Sequence, residues 1–247
     1  VRFTRSGGEA NAVAIRIARA TTKKQKIAFC GYHGWHDWYL SSNLKNSNNL
    51  NDQLMQGLNY EGVPSQLKNT AIPFKYNDFL GLKKIINNNP EIGIIKMEVE
   101  RNIKPKNNFL KKVRDICNKK NIILIFDECT SGFRETFGGL HLKYKIIPDL
   151  AIFGKALGNG YAINAIIGKK EIMENAQKTF ISSTFWTERS GPSAAIKTLE
   201  LMQKIKSWKK LKQTGGKIKQ NWKKILISNK LKFEINGIDP LPSFLIK

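Results

Sequence analysis

Two short apolar runs, each ending in a charged group, constrain this chain more than any other feature. The first is Ile122-Ile-Leu-Ile-Phe-Asp-Glu128, which ends at Asp127; the second is Ala151-Ile-Phe-Gly-Lys155, which ends at Lys155. Unbroken apolar runs read as parallel strands buried on both faces, and a charge at the end of such a run is delivered to the sheet edge. The segment between them is long enough to cross over, so the two ends are expected to be neighbours. Further strands read at Lys26–Cys30, Ile92–Val99, Leu150–Phe153 and Ile163–Ile167. Helical patterns follow Ser6-Gly-Gly-Glu-Ala10, with Val13, Ile17 and Ala18 on one face, and span Phe109–Lys119, with Val113, Ile116 and Cys117 inward. Strands alternating with helices predict an α/β fold with a mostly parallel sheet and ligands at the strand carboxyl ends. Residues 41–70 are rich in Asn, Ser, Gly and Gln and read as loop.

Charge comes next, because it raises a rival class of function. The formal net charge of +23 over 247 residues suggests nucleic acid or an anionic membrane as partner. However, 34 of the 42 basic residues are lysine, spread along nearly the whole chain, as a solvated lysine surface would be. No helix-turn-helix, RNA-binding or zinc signature is present, and the aromatic residues do not interleave with a basic strip. A basic nucleic-acid-binding protein is therefore the alternative of another class, and the expected partners include no nucleic acid. No stretch approaches the roughly 20 apolar residues of a membrane span, so no membrane is expected either. Cys30, Cys117 and Cys129 form no CxxC pair, which fits a reducing compartment, the cytoplasm. The chain opens at Val1 and enters a motif almost at once, so it reads as an internal fragment.

Candidate site residues each carry a plainer reading beside the chemical one. Lys155 follows an apolar strand and precedes Ala156-Leu-Gly-Asn-Gly-Tyr161, whose glycines let backbone pass close to a ligand; otherwise it is a lysine capping a strand. Asp127 must be paired if buried, either by a cationic ligand N–H or, more plainly, by Arg134. An amine and a carboxylate at neighbouring strand ends suit pyridoxal 5'-phosphate. The lysine would form the Schiff base, and the acid would keep the pyridine nitrogen protonated so that the ring acts as an electron sink. Gly7 and Gly8 precede a helix, where free N–H groups and the dipole make an anion site, or simply a turn. His33 and His36 lack further ligands at metal spacing, so no metal is expected.

Several motifs together resemble the class III aminotransferases, a family that includes the glutamate-1-semialdehyde 2,1-aminomutases. They are Ser6-Gly-Gly-Glu-Ala10, Gly31-Tyr-His-Gly34, Phe126-Asp-Glu-Cys-Thr-Ser-Gly-Phe-Arg134 with Gly138-Gly139, Gly154-Lys-Ala-Leu-Gly-Asn-Gly-Tyr161 and Thr187-Glu-Arg-Ser-Gly-Pro192. The resemblance implies the large domain of pyridoxal-phosphate transferase fold type I. It implies Lys155 and Asp127 as catalytic and cofactor-binding residues, with Gly7 and Gly8 on the phosphate. Tyr32 would stack on the pyridine face. Thr187 would reach the phosphate of the neighbouring subunit's cofactor, making a homodimer with shared active sites; more plainly, it caps the helix after Pro192. The implied activity moves an amino group from a small-molecule amino donor to a keto or aldehyde acceptor in ping-pong half-reactions, with Lys155 as general base.

Departures from the family pattern separate its branches. Thr130 stands where many aminotransferases carry glutamine, Glu98-Val99 where Glu-Pro is usual, and Ser190-Gly191-Pro192 replaces Gly-Asn-Pro. The segment after Lys155 lacks the glycine-rich run of the aminomutases, which favours a transaminase and leaves intramolecular amino transfer as the alternative. Matches run from Ser6 to about Met202. The expected organisation is a cofactor-binding large domain over 1–200, incomplete at its N-terminus. Residues 201–247 would be a connecting helix and the start of a truncated small domain. That stretch carries 12 lysines against Glu234 and Asp239, and one strand at Leu231–Ile235.

Overall fold

A computed structural model describes residues 1–183 and 186–247. Its strands are β1 (Arg2–Thr4), β2 (Lys26–Cys30), β3 (Ala71–Pro73), β4 (Ile92–Glu98), β5 (Ile123–Glu128), β6 (Leu150–Phe153), β7 (Asn164–Gly168), β8 (Phe233–Asn236) and β9 (Ser243–Ile246). Its helices are α1 (Gly7–Thr22), α2 (Asp37–Leu40), α3 (Phe79–Asn88), α4 (Phe109–Lys120), α5 (His141–Tyr144), α6 (Lys170–Met173), α7 (Ser190–Ile205) and α8 (Ser207–Ser228).

Period-two alternation sorts the core into layers. Ile27, Phe29, Ile94 and Ile125 point to one face and pack under Ala10, Ala14, Ile17 and Ala18 of α1. Their neighbours Ala28, Ile95, Leu124 and Phe126 point to the other face, against Leu82 and Ile86 of α3 and Val113 and Ile116 of α4. A strand covered on both sides must be apolar at nearly every position, which is why these runs do not alternate.

Seven strands form one sheet in the order β1-β7-β6-β5-β4-β2-β3, with β5 at its centre. Strands β3, β2, β4, β5 and β6 run parallel; β7 is antiparallel to β6, and β1 is antiparallel to β7. The mostly parallel α/β arrangement thus holds. The link from β6 to β7 is shorter than a parallel crossover requires, so β7 turns back. Strand β1 consequently points the same way as β6, and it delivers the start of α1 to the carboxyl edge of the sheet.

Helix α8 runs through Gly215-Gly216, a pair that lowers helix propensity. Close packing explains the first of them: a Cβ on Gly215 would lie 1.7 Å from the Asp239 carbonyl oxygen. The turn that crosses there is held by Lys219, whose Nζ donates to the Gly237 carbonyl at 2.6 Å and to Asp239 Oδ1 at 3.1 Å. Among the described residues, strands β8 and β9 pair only with each other. Their turn is nevertheless attached to the large sheet layer, since the Gly237 N–H donates to the Asn102 carbonyl and Ile238 is buried with the α3/α4 cluster.

Candidate active site

The carboxyl edge of the sheet collects most of the residues singled out from the sequence. Asp127 lies at the end of β5, and its Cα partner across the ladder is Ile152 of β6. Two residues past the end of β6 stands Lys155, so the amine and the carboxylate do come from adjacent parallel strand ends. Lys155 is exposed, and its Nζ donates to Thr130 Oγ1 at 2.8 Å. Its backbone has φ +44°, a left-handed conformation that is costly for a residue with a Cβ. Such strain persists where the surroundings over-determine it, as they do at functional sites.

Asp127 is nearly fully buried and takes three partners. His33 Nδ1 lies 2.8 Å from Oδ2, Lys96 Nζ lies 3.5 Å from the same oxygen, and the Cys129 N–H donates to Oδ1 at 3.1 Å. Burial alone would push the Asp127 carboxyl up. The Lys96 charge, the His33 bond and the Cys129 N–H outweigh it, and hold the carboxyl well below the ordinary carboxylate range. Arg134, the plainer partner, turns away and donates through Nε to the Thr130 carbonyl at 2.6 Å.

Glu128, next along, points to the opposite face and is structural. It accepts from Ser131 Oγ at 2.7 Å, from the Leu140 N–H at 2.7 Å and from the His141 N–H at 3.0 Å. Those bonds fold the 129–141 loop back on β5, and so fix Thr130 under the Lys155 amine.

Over this edge sits the first turn of α1. Ser6 caps it, its side chain accepting from the Glu9 N–H at 3.2 Å, while the Ser6 carbonyl takes the Ala10 N–H at 3.0 Å. The N–H groups of Gly7 and Gly8 have no intrahelical partner, as in any first turn. A Cβ on Gly8 would lie 2.7 Å from the His36 ring, and one on Gly34 would lie 3.0 Å from Gly8 Cα. The two glycines let the 31–38 loop press against the helix start. Asn164 ties the same corner together, donating to the Arg5 carbonyl at 2.9 Å while its Oδ1 faces Cys129 Sγ at 3.6 Å.

Tyr32 is half-buried at the end of β2, edge-on to Tyr39 with ring centroids 5.9 Å apart. Beside it, burial pushes the Glu98 carboxyl up to about 7 against the opposing pull of Arg101, whose Nη1 lies 3.1 Å away.

Thr187 is exposed in the bend before α7. Its neighbours fasten that bend beside β1: Trp186 Nε1 donates to the Phe3 carbonyl at 3.2 Å, and Glu188 pairs with Arg5 and with the Tyr161 hydroxyl. Residue Arg189, not Thr187, is the N-cap of α7. Thr187 thus stands between two residues that reach the β1 edge and the loop after Lys155.

Two residues of the pocket were not identified from the sequence. His33 was weighed only as a metal ligand, yet it holds Asp127. Lys96 lies inside the apolar strand, where a lysine flanked by Ile95 and Met97 is itself a signal. Both are fully buried: His33 is 1% exposed and Lys96 0%.

Comparison with known proteins agrees with this geometry. The model of the family "Aminotransferase class-III" matches residues 101–237. The 3-aminobutyryl-CoA aminotransferase of Cloacimonas acidaminovorans (strain Evry) is 36% identical, over 99% of this chain and 57% of that protein. The glutamate-1-semialdehyde 2,1-aminomutase of Sulfurisphaera tokodaii is 34% identical, over 100% of this chain and 59% of that protein. The chain thus spans under two thirds of the length of these relatives. Among solved structures, the PLP internal aldimine form of the Sphingopyxis sp. MTA144 FumI protein superposes with a TM-score of 0.87. It does so at 21% identity, over 99% of this chain and 57% of that one. At that identity the likeness concerns the fold, which is that of a pyridoxal-phosphate transferase large domain.

Proposed function

Because the chain belongs to the class III aminotransferases, we propose that it forms the catalytic part of a pyridoxal-phosphate-dependent transaminase. The observation that carries this reading is the exposed Lys155 amine one strand away from a buried, ionised Asp127. In this reading residues 1–200 are the cofactor-binding unit and 201–247 begin the second domain. The protein works in the cytoplasm on a small-molecule amino donor and a keto or aldehyde acceptor.

The residues fit the cofactor on several counts. Glycines 7 and 8 present unpaired N–H groups at a helix start, which suits a phosphate. Asp127 Oδ1, bonded to one N–H, retains a lone pair for a ring N–H. Bound there, pyridoxal phosphate supplies an electron sink for cleavage of a bond at the substrate's amino-bearing carbon.

The chain's own groups do the rest. Asp127 keeps a proton on the ring nitrogen by remaining ionised, and His33 and Cys129 fix the direction of its lone pairs. Lys155 holds the cofactor at rest. It then takes and returns the proton at the substrate carbon, with Thr130 Oγ1 keeping its Nζ over the edge between turnovers. Tyr32 covers one face of the ring and excludes water. Thr187 serves the site of a second subunit across a homodimer interface.

Relatives carry both transaminase and aminomutase names, so intramolecular amino transfer is the second reading. A single amino-aldehyde turned over without added acceptor would favour it.

Assembly supplies the test. Cofactor absorbance should appear on titration with pyridoxal phosphate and fall on dilution to monomers. Thr187→Ala should weaken cofactor binding by about 1 to 2 kcal/mol, roughly 5- to 30-fold, as expected for loss of a hydrogen bond to a charged group. Unchanged affinity in Thr187→Ala removes the shared site but leaves Lys155 and Asp127 in place. No cofactor binding by the assembled parent protein removes the whole reading.

A further inference from the structure

Lys96 lies in the middle of β4, in register between Phe29 of β2 and Ile125 of β5. It is fully buried, and its Nζ makes no hydrogen bond. A buried ammonium costs several kcal/mol unless it is paired, and an apolar side chain would fill the same space without that cost. Its partner is Asp127, at 3.5 Å from the oxygen that His33 also contacts.

His33 is held in an unusual way. Nδ1 faces the Asp127 carboxylate at 2.8 Å, and Nε2 faces the Cys30 carbonyl at 3.1 Å. Both partners only accept, so an imidazolium would satisfy both contacts and a neutral ring only one. Taken alone, the pocket favours the charged ring. Lys96 opposes it, because a second proton on His33 would set two cations against one carboxylate oxygen in a buried site. Burial, reinforced by Lys96, holds His33 down at about 4.

We propose that Lys96 is a positioning residue of the active carboxylate, which keeps His33 neutral and leaves Asp127 with its full charge directed at the ligand. Its part in catalysis rests on the transaminase reading; the proton arrangement does not.

The other groups around His33 do not substitute for Lys96. From β4, Glu98 is engaged by Arg101. From β2 and β5, burial keeps Cys30 and Cys129 as thiols through the neutral range. Lys155 stands on Thr130, and α1 contributes the neutral Asn11, whose Nδ2 donates to the His33 carbonyl at 3.2 Å.

Nitrogen and carbon NMR of histidine- and lysine-labelled, cofactor-free protein tests this, with the His33 signal assigned by its loss in His33→Gln. In the parent protein at about pH 7 the His33 ring should be neutral and the Lys96 Nζ an ammonium, the Asp127 charge opposing the burial that pulls the lysine down. Lys96→Met should raise the His33 midpoint by about 1 to 3 pH units, and Lys96→Arg should restore it. An unmoved midpoint in Lys96→Met overturns the proposal. So does a charged His33 ring or a neutral Lys96 amine in the parent, a result available even if the variant does not fold. These outcomes are read without cofactor, so they are separate from failure of the transaminase reading, which shows as absence of cofactor binding.

Discussion

Replacing Lys155 with alanine should abolish turnover while leaving the fold intact. The side chain is exposed and its one described hydrogen bond is to Thr130, so the stability change should stay within about 0.5 kcal/mol. The rate should fall on the order of 10⁴-fold or more, about 5 kcal/mol in the barrier, because both the covalent anchor and the proton carrier are lost together. Lys155→Gly adds a second readout. It should lose activity equally yet relieve the left-handed backbone strain, worth roughly 1 kcal/mol before the entropic cost of glycine is set against it. Alanine and glycine variants that keep near-parental turnover would assign Lys155 to the surface.

Asp127→Asn carries the other large effect, and it falls on two quantities. Without a carboxylate the ring nitrogen is no longer held protonated, and turnover should drop on the order of 10³-fold or more. Stability should also fall, by about 3 to 5 kcal/mol, because Lys96 is left as a buried, unpaired cation. Combining Asp127→Asn with Lys96→Met should recover most of the stability and none of the turnover, which separates the structural role of the pair from the chemical one. The acid limb of stability follows the same logic. A carboxyl held below its unfolded value contributes fully above about pH 5 and loses that contribution as pH falls through the folded value. Asp127→Asn should therefore flatten the acid limb. Normal turnover in Asp127→Asn would make the residue structural.

The fold was legible wherever a strand is covered on both faces. The runs at 26–30, 92–99 and 122–126 are apolar because α1 covers one side and α3 or α4 the other, and 150–153 because α1 covers one side and Leu157, Ile163 and Ala195 the other; each appears in the structure within two residues of the expected bounds. Elements without that pressure were missed. Strands β1 and β3 have three residues each, too few to show a period. Helix α3 had a usable signal in Asp78, whose side chain caps the Gly81 N–H at 2.8 Å. Most of α8 was hidden by its lysines and its glycine pair, of which the crossing Asp239 turn explains Gly215 only in three dimensions.

At the site, strand-end charges were visible as breaks in apolar runs, and the glycines as part of a motif. His33 and Lys96 were not visible as partners of Asp127. They come from the loop after β2 and from β4, remote in sequence from Asp127, and only the pairing of β2 with β4 and of β4 with β5 brings them to one oxygen. Register across a parallel sheet is a long-range property, and a local pattern does not contain it.

If Lys155 is the amine that holds the cofactor, reductive labelling will fix the cofactor to it. Protein loaded with pyridoxal phosphate is treated with borohydride, digested and mapped by mass spectrometry. Lys155 as the anchoring amine requires the pyridoxyl label on the peptide containing Lys155. It also requires that the label be absent from Lys155→Ala treated in the same way. A label on Lys169, Lys170 or the buried Lys96, or one that persists in Lys155→Ala, contradicts it.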